Sequence, residues 1–246
     1  MQKTTLLVSK STPLSMNTKS RTLVMAAAAV LLWTTATQAQ VTLTDIGATA
    51  PTPGPNDIAQ LVPATGASSP DGLNYYFDNS SPPGQTFTTG SNPSGYTLGS
   101  VSILTAGNSG GLPAGGQAYY LRIYSVSGTT ATLIATYISA NNFTFTDLDW
   151  LQWTGLSTIM TPNAQFAYSF GRTSSGSGWE NLSNVGGNTY AGGEVALIPP
   201  TGGTMTFGSS DSYDATFVVG LTPVTTLTVS TPTATPYGGA AGTAIT

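Results

Sequence analysis

The glycine- and serine-rich loop from Arg172 to Tyr190 holds the residues best suited to bind a sugar. Within it, Trp179 stands next to Glu180 and Asn181. An exposed indole ring can stack on the apolar face of a pyranose, and the adjacent carboxylate and amide can hydrogen-bond its hydroxyl groups. These five residues form the candidate ligand site. The alternative is that Trp179 folds back onto the domain and anchors the loop, since large aromatic side chains are mostly buried.

Four aspartates could bind a cation. Asp211 and Asp214 bracket the start of the last predicted strand, and Asp71 and Asp78 lie near the first. In a jelly roll these ends approach each other, and carboxylate oxygens suit calcium at extracellular concentrations. The chain has no DxDxDG-type run, so turn carboxylates that cap backbone amides are the alternative. Calcium is therefore a possible ligand, and no cofactor is required.

Glu180 and Glu194 are the only glutamates of the chain. A glycosidase needs just two carboxylates, but Glu194 precedes an apolar run and is expected to start a strand. The chain has neither histidine nor cysteine. It therefore lacks the commonest general base, every Ser–His or Cys–His pair, thiolate metal ligands and disulfides. We predict a protein that is not an enzyme, with a small jelly-roll glycanase as the alternative.

Charge is distributed unevenly along the chain. Four of the six Lys and Arg residues lie in the first 21 residues, and only Arg122 and Arg172 follow residue 39. All ten carboxylates also follow residue 39, so two cations and ten anions give residues 40–246 a net charge of −8. Two cations cannot neutralise a run of phosphates, which argues against nucleic-acid binding. The same acidity disfavours anionic lipid surfaces.

The N-terminal segment has the three parts of a secretory leader. Basic residues precede an uncharged apolar run of 11 residues, 23–33, and small residues ending at Ala39 follow. This run is too short for a membrane span, which needs about 20 apolar residues. We expect residues 1–39 to be a signal peptide and the mature chain to be secreted or at the cell surface, without membrane insertion. Met16 opens a compact basic segment of its own, so the start is either Met1 or Met16.

After the leader, short runs of alternating apolar and polar residues recur, and no stretch has a helical period. Residues 166–170 and 215–221 are predicted to be central strands because they are apolar and unbroken. A turn at Gly128 is expected to join two strands in a hairpin. About ten short strands predict an all-β, antiparallel jelly-roll β-sandwich. The predicted strands are 85–88, 96–105, 117–126, 131–137, 143–145, 150–153, 165–170, 194–198, 204–207 and 215–221.

Composition divides the chain into four parts. The leader, 1–39, is followed by an extended, partly ordered Pro/Gly-rich segment, 40–74. The sandwich is expected over 75–221. Residues 222–246 are uncharged and rich in threonine and proline, which is typical of a linker or a truncated tail. Such a linker predicts neighbouring domains in a longer protein.

Six segments of the predicted sandwich follow a recognisable order. They are GQTFTTGSNPSGYTL (84–98), QAYYLRIYSVSG (117–128), LIATY (133–137), TPNAQFAYSFGR (161–172), YAGGE (190–194) and SYDATFVVG (212–220). Over residues 75–221 the chain resembles a jelly-roll module of exported, multi-domain proteins from environmental bacteria. The resemblance implies a fold, while most such modules have no assigned function. A glycan-binding role follows only by analogy with carbohydrate-binding jelly rolls.

The primary hypothesis is an exported, non-catalytic module that binds a polysaccharide or cell-surface glycan, or mediates adhesion, within a larger protein. A structural spacer or anchor without a ligand is the first alternative, and a glycanase fragment is the second. A glycan array separates the first two, and a reducing-sugar assay tests the third.

We predict that residues 1–39 are absent from the exported protein, because a leader peptidase removes the segment before Gln40. Intact-mass measurement of the secreted fraction should place the N-terminus at Gln40 or within a few residues of it. A secreted chain that still begins at Met1 or Met16 would contradict the prediction.

Overall fold

The computed structural model describes residues 40–62, 77–108, 116–173, 180–187, 189–208 and 213–225. The regular elements of these residues are β-strands, and their pairings are antiparallel. No described helix is long and apolar enough to span a membrane. The predicted leader and residues 226–246 of the tail lie outside the described residues. The strands are β1 (Thr42–Asp45), β2 (Ile58–Gln60), β3 (Pro83–Thr88), β4 (Tyr96–Asn108), β5 (Tyr119–Ser127), β6 (Thr130–Ile138), β7 (Trp150–Met160), β8 (Gln165–Arg172), β9 (Glu180–Leu182), β10 (Asn184–Val185), β11 (Val195–Leu197), β12 (Gly202–Thr204), β13 (Thr206–Phe207), β14 (Asp214–Ala215) and β15 (Phe217–Pro223).

One sheet has the strand order β1-β7-β4-β15-β2, with β9 also paired to β4. Two of its strands, β1 and β2, come from the segment 40–74, which was predicted to precede the sandwich. Leu43 of β1 is buried in the core, and β2 pairs with β15 through Ile58–Gln60. Three prolines of this segment, Pro51, Pro53 and Pro55, lie between the two strands and so occupy none of their ladder positions.

The second sheet has the order β12-β6-β5-β8-β3-β11-β13. Its β5–β6 hairpin turns through Gly128 and Thr129, as predicted, and Gly128 has φ of 58°. A positive φ at the first central residue is what a type II′ hairpin turn requires, and glycine adopts it without steric cost.

The two sheets pack face to face around one large apolar core, the arrangement of a β-sandwich. Trp153 and Phe170 meet across it with ring centroids 6.4 Å apart, and Tyr168 and Phe217 lie 5.9 Å apart. Residues 166–170 belong to a central strand, as predicted, and of the predicted central strand 215–221 the part 217–221 does so. In β8, for example, alternation places Phe166, Tyr168 and Phe170 in this core.

Four strand predictions need correction. The predicted strand 204–207 is divided at Met205 between β12 and β13, and 215–221 is divided at Thr216 between β14 and β15. Residues 143–145 form only an isolated bridge, Gln117 to Phe143, and their rings cap the core beside Tyr119. β7 continues past Trp153 to Met160. The alternation there is interrupted at Gly155, whose φ of 74° accompanies a register shift against β4, so the pattern alone ended the strand too early.

The seven-stranded sheet curls back on itself. β12 pairs with β6 at one edge and β13 pairs with β11 at the other, yet only Met205 separates β12 from β13. Since adjacent Cα atoms are about 3.8 Å apart, the two edges must lie close together. The curled sheet encloses a second apolar cluster, which consists of Tyr124, Ala131, Ala167, Ala196, Ile198 and Met205.

Gly84 allows β3 and β8 to approach closely inside this curl. A Cβ at residue 84 would meet the carbonyl oxygen of Tyr168 and come within 2.9 Å of Cα of Ser169. We predict that Gly84→Ala lowers the free energy of unfolding by about 3 kcal/mol or more, because backbone atoms cannot move aside cheaply. Urea unfolding measures the change.

Gly99→Ala is the matched control, since its Cβ would have no neighbour closer than 3.8 Å. This variant should change stability by less than about 1 kcal/mol. Equal losses for the two variants would contradict the close approach at Gly84.

Candidate functional site

An open cavity of about 400 Å³ lies at one end of the curled sheet. The end of β3, the start of β8, the β5–β6 turn, the start of β11 and the end of β13 meet there, because antiparallel pairing brings these ends together. We call this cavity the cup. It is lined by Thr86, Thr88, Gly128, Thr129, Gln165, Ala191, Gly192, Gly193, Glu194 and Phe207.

One side of the cup, residues 191–194, is hydrogen-bonded to threonine side chains of β3; we call these residues the wall. The hydroxyl of Thr86 accepts from the backbone N–H of Glu194 at 2.8 Å and donates to its carbonyl at 3.1 Å. The hydroxyl of Thr88 donates to the carbonyl of Gly192 at 2.9 Å. Gly193 permits this contact, since a Cβ there would meet the carbonyl group of Thr86. The wall is therefore held in place by β3.

A fully buried carboxylate holds the same wall from behind. Asp214 accepts from Nε2 of Gln85 at 2.9 Å, from the hydroxyl of Thr189 at 3.1 Å and from the backbone N–H of Tyr190 at 2.7 Å. The hydroxyl of Tyr190 in turn accepts from the backbone N–H of Thr88 at 3.1 Å. Buried polar groups are stable only when hydrogen-bonded, so this network fixes the position of the wall.

The cup has an acidic electrostatic character. Partial burial raises the pKa of Glu194, and the nearby charge of Asp214 raises it further. Burial also raises the pKa of Tyr190, although the hydrogen bond with the backbone N–H of Thr88 acts to lower it. Burial raises the pKa of the fully buried Tyr168 well above its usual range. Both tyrosines are therefore neutral at pH 7, and carboxylates supply the local charge.

The two arginines of residues 40–246 lie away from the cup. Arg122 pairs with Ser169, four positions along β8 from Gln165, and its guanidinium carbon lies 4.3 Å from the centroid of the Tyr120 ring. Arg172 is the last residue of β8, at the end opposite Gln165. Neither arginine is among the lining residues of the cup, so no cation of this part of the chain balances Glu194 there.

Several side chains of the cup are available to a ligand. In the part of the chain that the structure describes, no hydrogen bond uses the side chains of Thr129, Gln165 or Glu194. Together they offer a hydroxyl, an amide and a carboxylate, and the Phe207 ring adds an apolar surface. This combination suits a small polar ligand that also has an apolar face.

The described residues of the predicted loop site belong to different elements of the fold. Tyr190 lies behind the cup wall, whereas Arg172 is buried at the far end of β8. Glu180 and Asn181 begin β9, which pairs with β4 in the other sheet. Trp179 lies outside the described residues, so its role as a sugar platform or a loop anchor stays a prediction.

Two of the four proposed calcium ligands, Asp78 and Asp214, lie in the described residues, and both accept hydrogen bonds from protein donors. Asp78 accepts from the backbone N–H groups of Ser80 at 2.9 Å and Ser81 at 2.7 Å, as a turn carboxylate does. Asp214 is occupied by the donors described above, while Asp71 and Asp211 fall outside the described residues. Within the described ranges, no three His, Cys, Asp or Glu residues are grouped to hold a metal.

Sequence reasoning considered Glu194 only as a strand start and as one half of a glycosidase pair. Its possible partner, Glu180, belongs to β9 of the six-stranded sheet, whereas Glu194 directly precedes β11 of the seven-stranded sheet. Thr129, Gln165 and Phe207 were not recognised as site residues. The available signal was the glycine pair before Glu194, because adjacent glycines permit close backbone approach.

Comparison with protein-family models, with curated proteins and with solved structures finds no match. The resemblance to exported jelly-roll modules therefore stays a prediction. Because a fold alone does not imply an activity, the function has to be argued from the cup.

We predict that Asp214→Ala lowers the free energy of unfolding by about 3 kcal/mol or more, because it leaves the buried amide of Gln85 and the donors of Thr189 and Tyr190 without their acceptor. Urea unfolding measures the loss. Asp78→Ala is the control, since it removes a carboxylate from a turn nearer the surface and should cost about 1 kcal/mol. Similar losses for both variants would show that the buried network is not the stronger restraint.

Proposed function

We propose that this protein is an exported, non-catalytic jelly-roll module that binds a saccharide in the cup, within a larger protein. The proposal rests on a preformed, open cavity that is lined by Phe207 and by the polar residues Thr129, Gln165 and Glu194. In the described residues, the side chains of these three polar residues make no hydrogen bond. The proposal includes a cleaved leader and a location outside the cell or at its surface. It requires neither calcium nor another cofactor, and no nucleic acid or membrane contact.

A saccharide matches the chemistry of the cup. A sugar ring presents apolar C–H groups on one face and hydroxyls at its edge, so Phe207 can contact the face while Thr129 and Gln165 exchange hydrogen bonds with the edge. The cavity volume lies within the range of about 300–1,000 Å³ that is typical of small-ligand sites. The bonds from Thr86 and Thr88 fix the wall before binding, which reduces the entropic cost of association.

The carboxylates support binding rather than hydrolysis. Glu194 is the one acidic side chain among the residues that line the cup. Glycoside hydrolysis commonly needs two carboxylates that flank the scissile bond, about 5–9.5 Å apart. Glu180 belongs to a strand of the other sheet, so the proposal gives it no catalytic role.

We predict that the domain binds at least one class of saccharide on a glycan array, and that Phe207→Ala and Gln165→Ala each weaken binding at least tenfold, about 1.4 kcal/mol. Titration calorimetry with the array hit measures the affinities, and thermal unfolding verifies that each variant is folded. Thr206→Ala is the control, because its exposed side chain neighbours Phe207 without lining the cup.

Trp179→Ala distinguishes the cup from the loop. If that variant abolishes binding while Phe207→Ala and Gln165→Ala do not, the loop is the site and the cup is not. A protein that binds nothing on the array is the structural spacer, and release of reducing ends from a polysaccharide identifies the glycanase.

A further inference from the structure

The cup contains a negative charge that no neighbouring cation compensates. Glu194 is the last residue of the wall and lines the cup, and the carboxylate of Asp214 lies buried behind this wall. After residue 39 the sequence has no lysine and only two arginines. Arg122 lies against the ring of Tyr120, and Arg172 ends β8 on the far side. A ligand that enters the cup therefore meets an acidic environment.

We infer that the cup selects saccharides that carry a protonated amine, such as oligomers of glucosamine, over neutral and anionic saccharides. This inference rests on the proposed function, since it specifies the sugar that the same cavity binds. An ammonium group beside Glu194 forms a charge-assisted hydrogen bond, which is shorter and stronger than a bond between neutral groups. Partial shielding from water strengthens the attraction.

The other lining residues accept the same group. The carbonyl oxygen of Gln165 and the hydroxyl of Thr129 can each accept a hydrogen bond from an ammonium. The face of Phe207 can attract a cation through its ring quadrupole while it contacts the sugar. An ammonium group can thus interact favourably with Glu194, Gln165, Thr129 and Phe207. A neutral hydroxyl in its place has no ionic interaction with Glu194.

Anionic sugars are disfavoured for the converse reason. A uronate or sulfate group in the cup would lie near Glu194 and Asp214, and neither arginine is placed to receive it. Like charges brought together in a partly desolvated site repel strongly and suppress the wrong partner. The net charge of −8 after residue 39 adds to this repulsion at low ionic strength.

The test compares four probes of equal length: glucosamine oligomers, their N-acetylated counterparts, neutral glucose oligomers and galacturonate oligomers. We expect the wild-type domain to bind the glucosamine oligomer at least tenfold more tightly than the acetylated and neutral probes, and to bind the galacturonate probe most weakly. The preference for the amine should shrink as sodium chloride rises from about 50 to 500 mM, because salt screens ionic attraction.

Glu194→Gln should weaken binding of the glucosamine oligomer at least tenfold and change binding of the acetylated oligomer by less than about threefold, since the amide retains hydrogen-bonding capacity without charge. Asp149→Asn is the matched control, because it removes one negative charge directly before β7 of the other sheet. It should leave both affinities within about twofold, as distant charges are screened.

Three outcomes would overturn the inference. Equal affinities for the amine and the neutral probes would refute amine selection while saccharide binding stands. Equal effects of Glu194→Gln and Asp149→Asn would assign the preference to net charge instead of the cup. Failure of all four probes and of the glycan array would refute the proposed function together with this inference.

Discussion

The site depends on two hydrogen bonds of the Gln85 side chain. One is made with the side chain of Asp214, and the other with the backbone of Ala215. Oδ1 of Asp214 accepts from Nε2 of Gln85, and Oε1 of Gln85 accepts from the N–H of Ala215 at 2.7 Å. These bonds join β3 of one sheet to the segment that leads into β15 of the other. The second oxygen of Asp214 holds Thr189 and Tyr190, so the same residue links the sandwich to the cup wall.

The shortage of cations explains why carboxylates in this protein bond to backbone amides. Asp57 accepts from the N–H groups of Gly54 and Leu221, Asp45 accepts from that of Gly47, and Asp78 caps its own turn. The bonds to Gly47, Gly54 and the turn after Asp78 satisfy backbone donors in turns, and the bond to Leu221 satisfies a donor at the register shift in β15. Asp57 also ties the segment before β2 to β15, which helps to include the N-terminal strands in the sandwich. Glu194 differs, because it lines an open cavity with no such donor on its side chain in the described residues.

Close backbone approach gives the cup its shape. Glycine at residue 84 lets β3 and β8 meet, and glycine at residue 193 lets the wall lie against β3. Met205 then joins the two edges of the curled sheet, and its amide donates to the carbonyl of Thr129 at 2.9 Å. The cup is therefore a consequence of sheet closure, and its polar groups stand at strand ends, where side chains can face a ligand.

The all-β class, the central strand at 166–170, most of the central strand predicted over 215–221 and the hairpin turn at Gly128 follow from the sequence alone, because alternation and turn chemistry are local properties. The sequence also determined the acidity of residues 40–246 and the position of their two arginines. The three-dimensional fold was needed to show that residues 42–45 and 58–60 join the six-stranded sheet and that Met205 closes the other sheet. It was also needed to show that Thr129, Gln165, Glu194 and Phe207 share one cavity. Those outcomes depend on pairing between strands that are far apart in the chain, and a local pattern does not specify which distant strand supplies the partner.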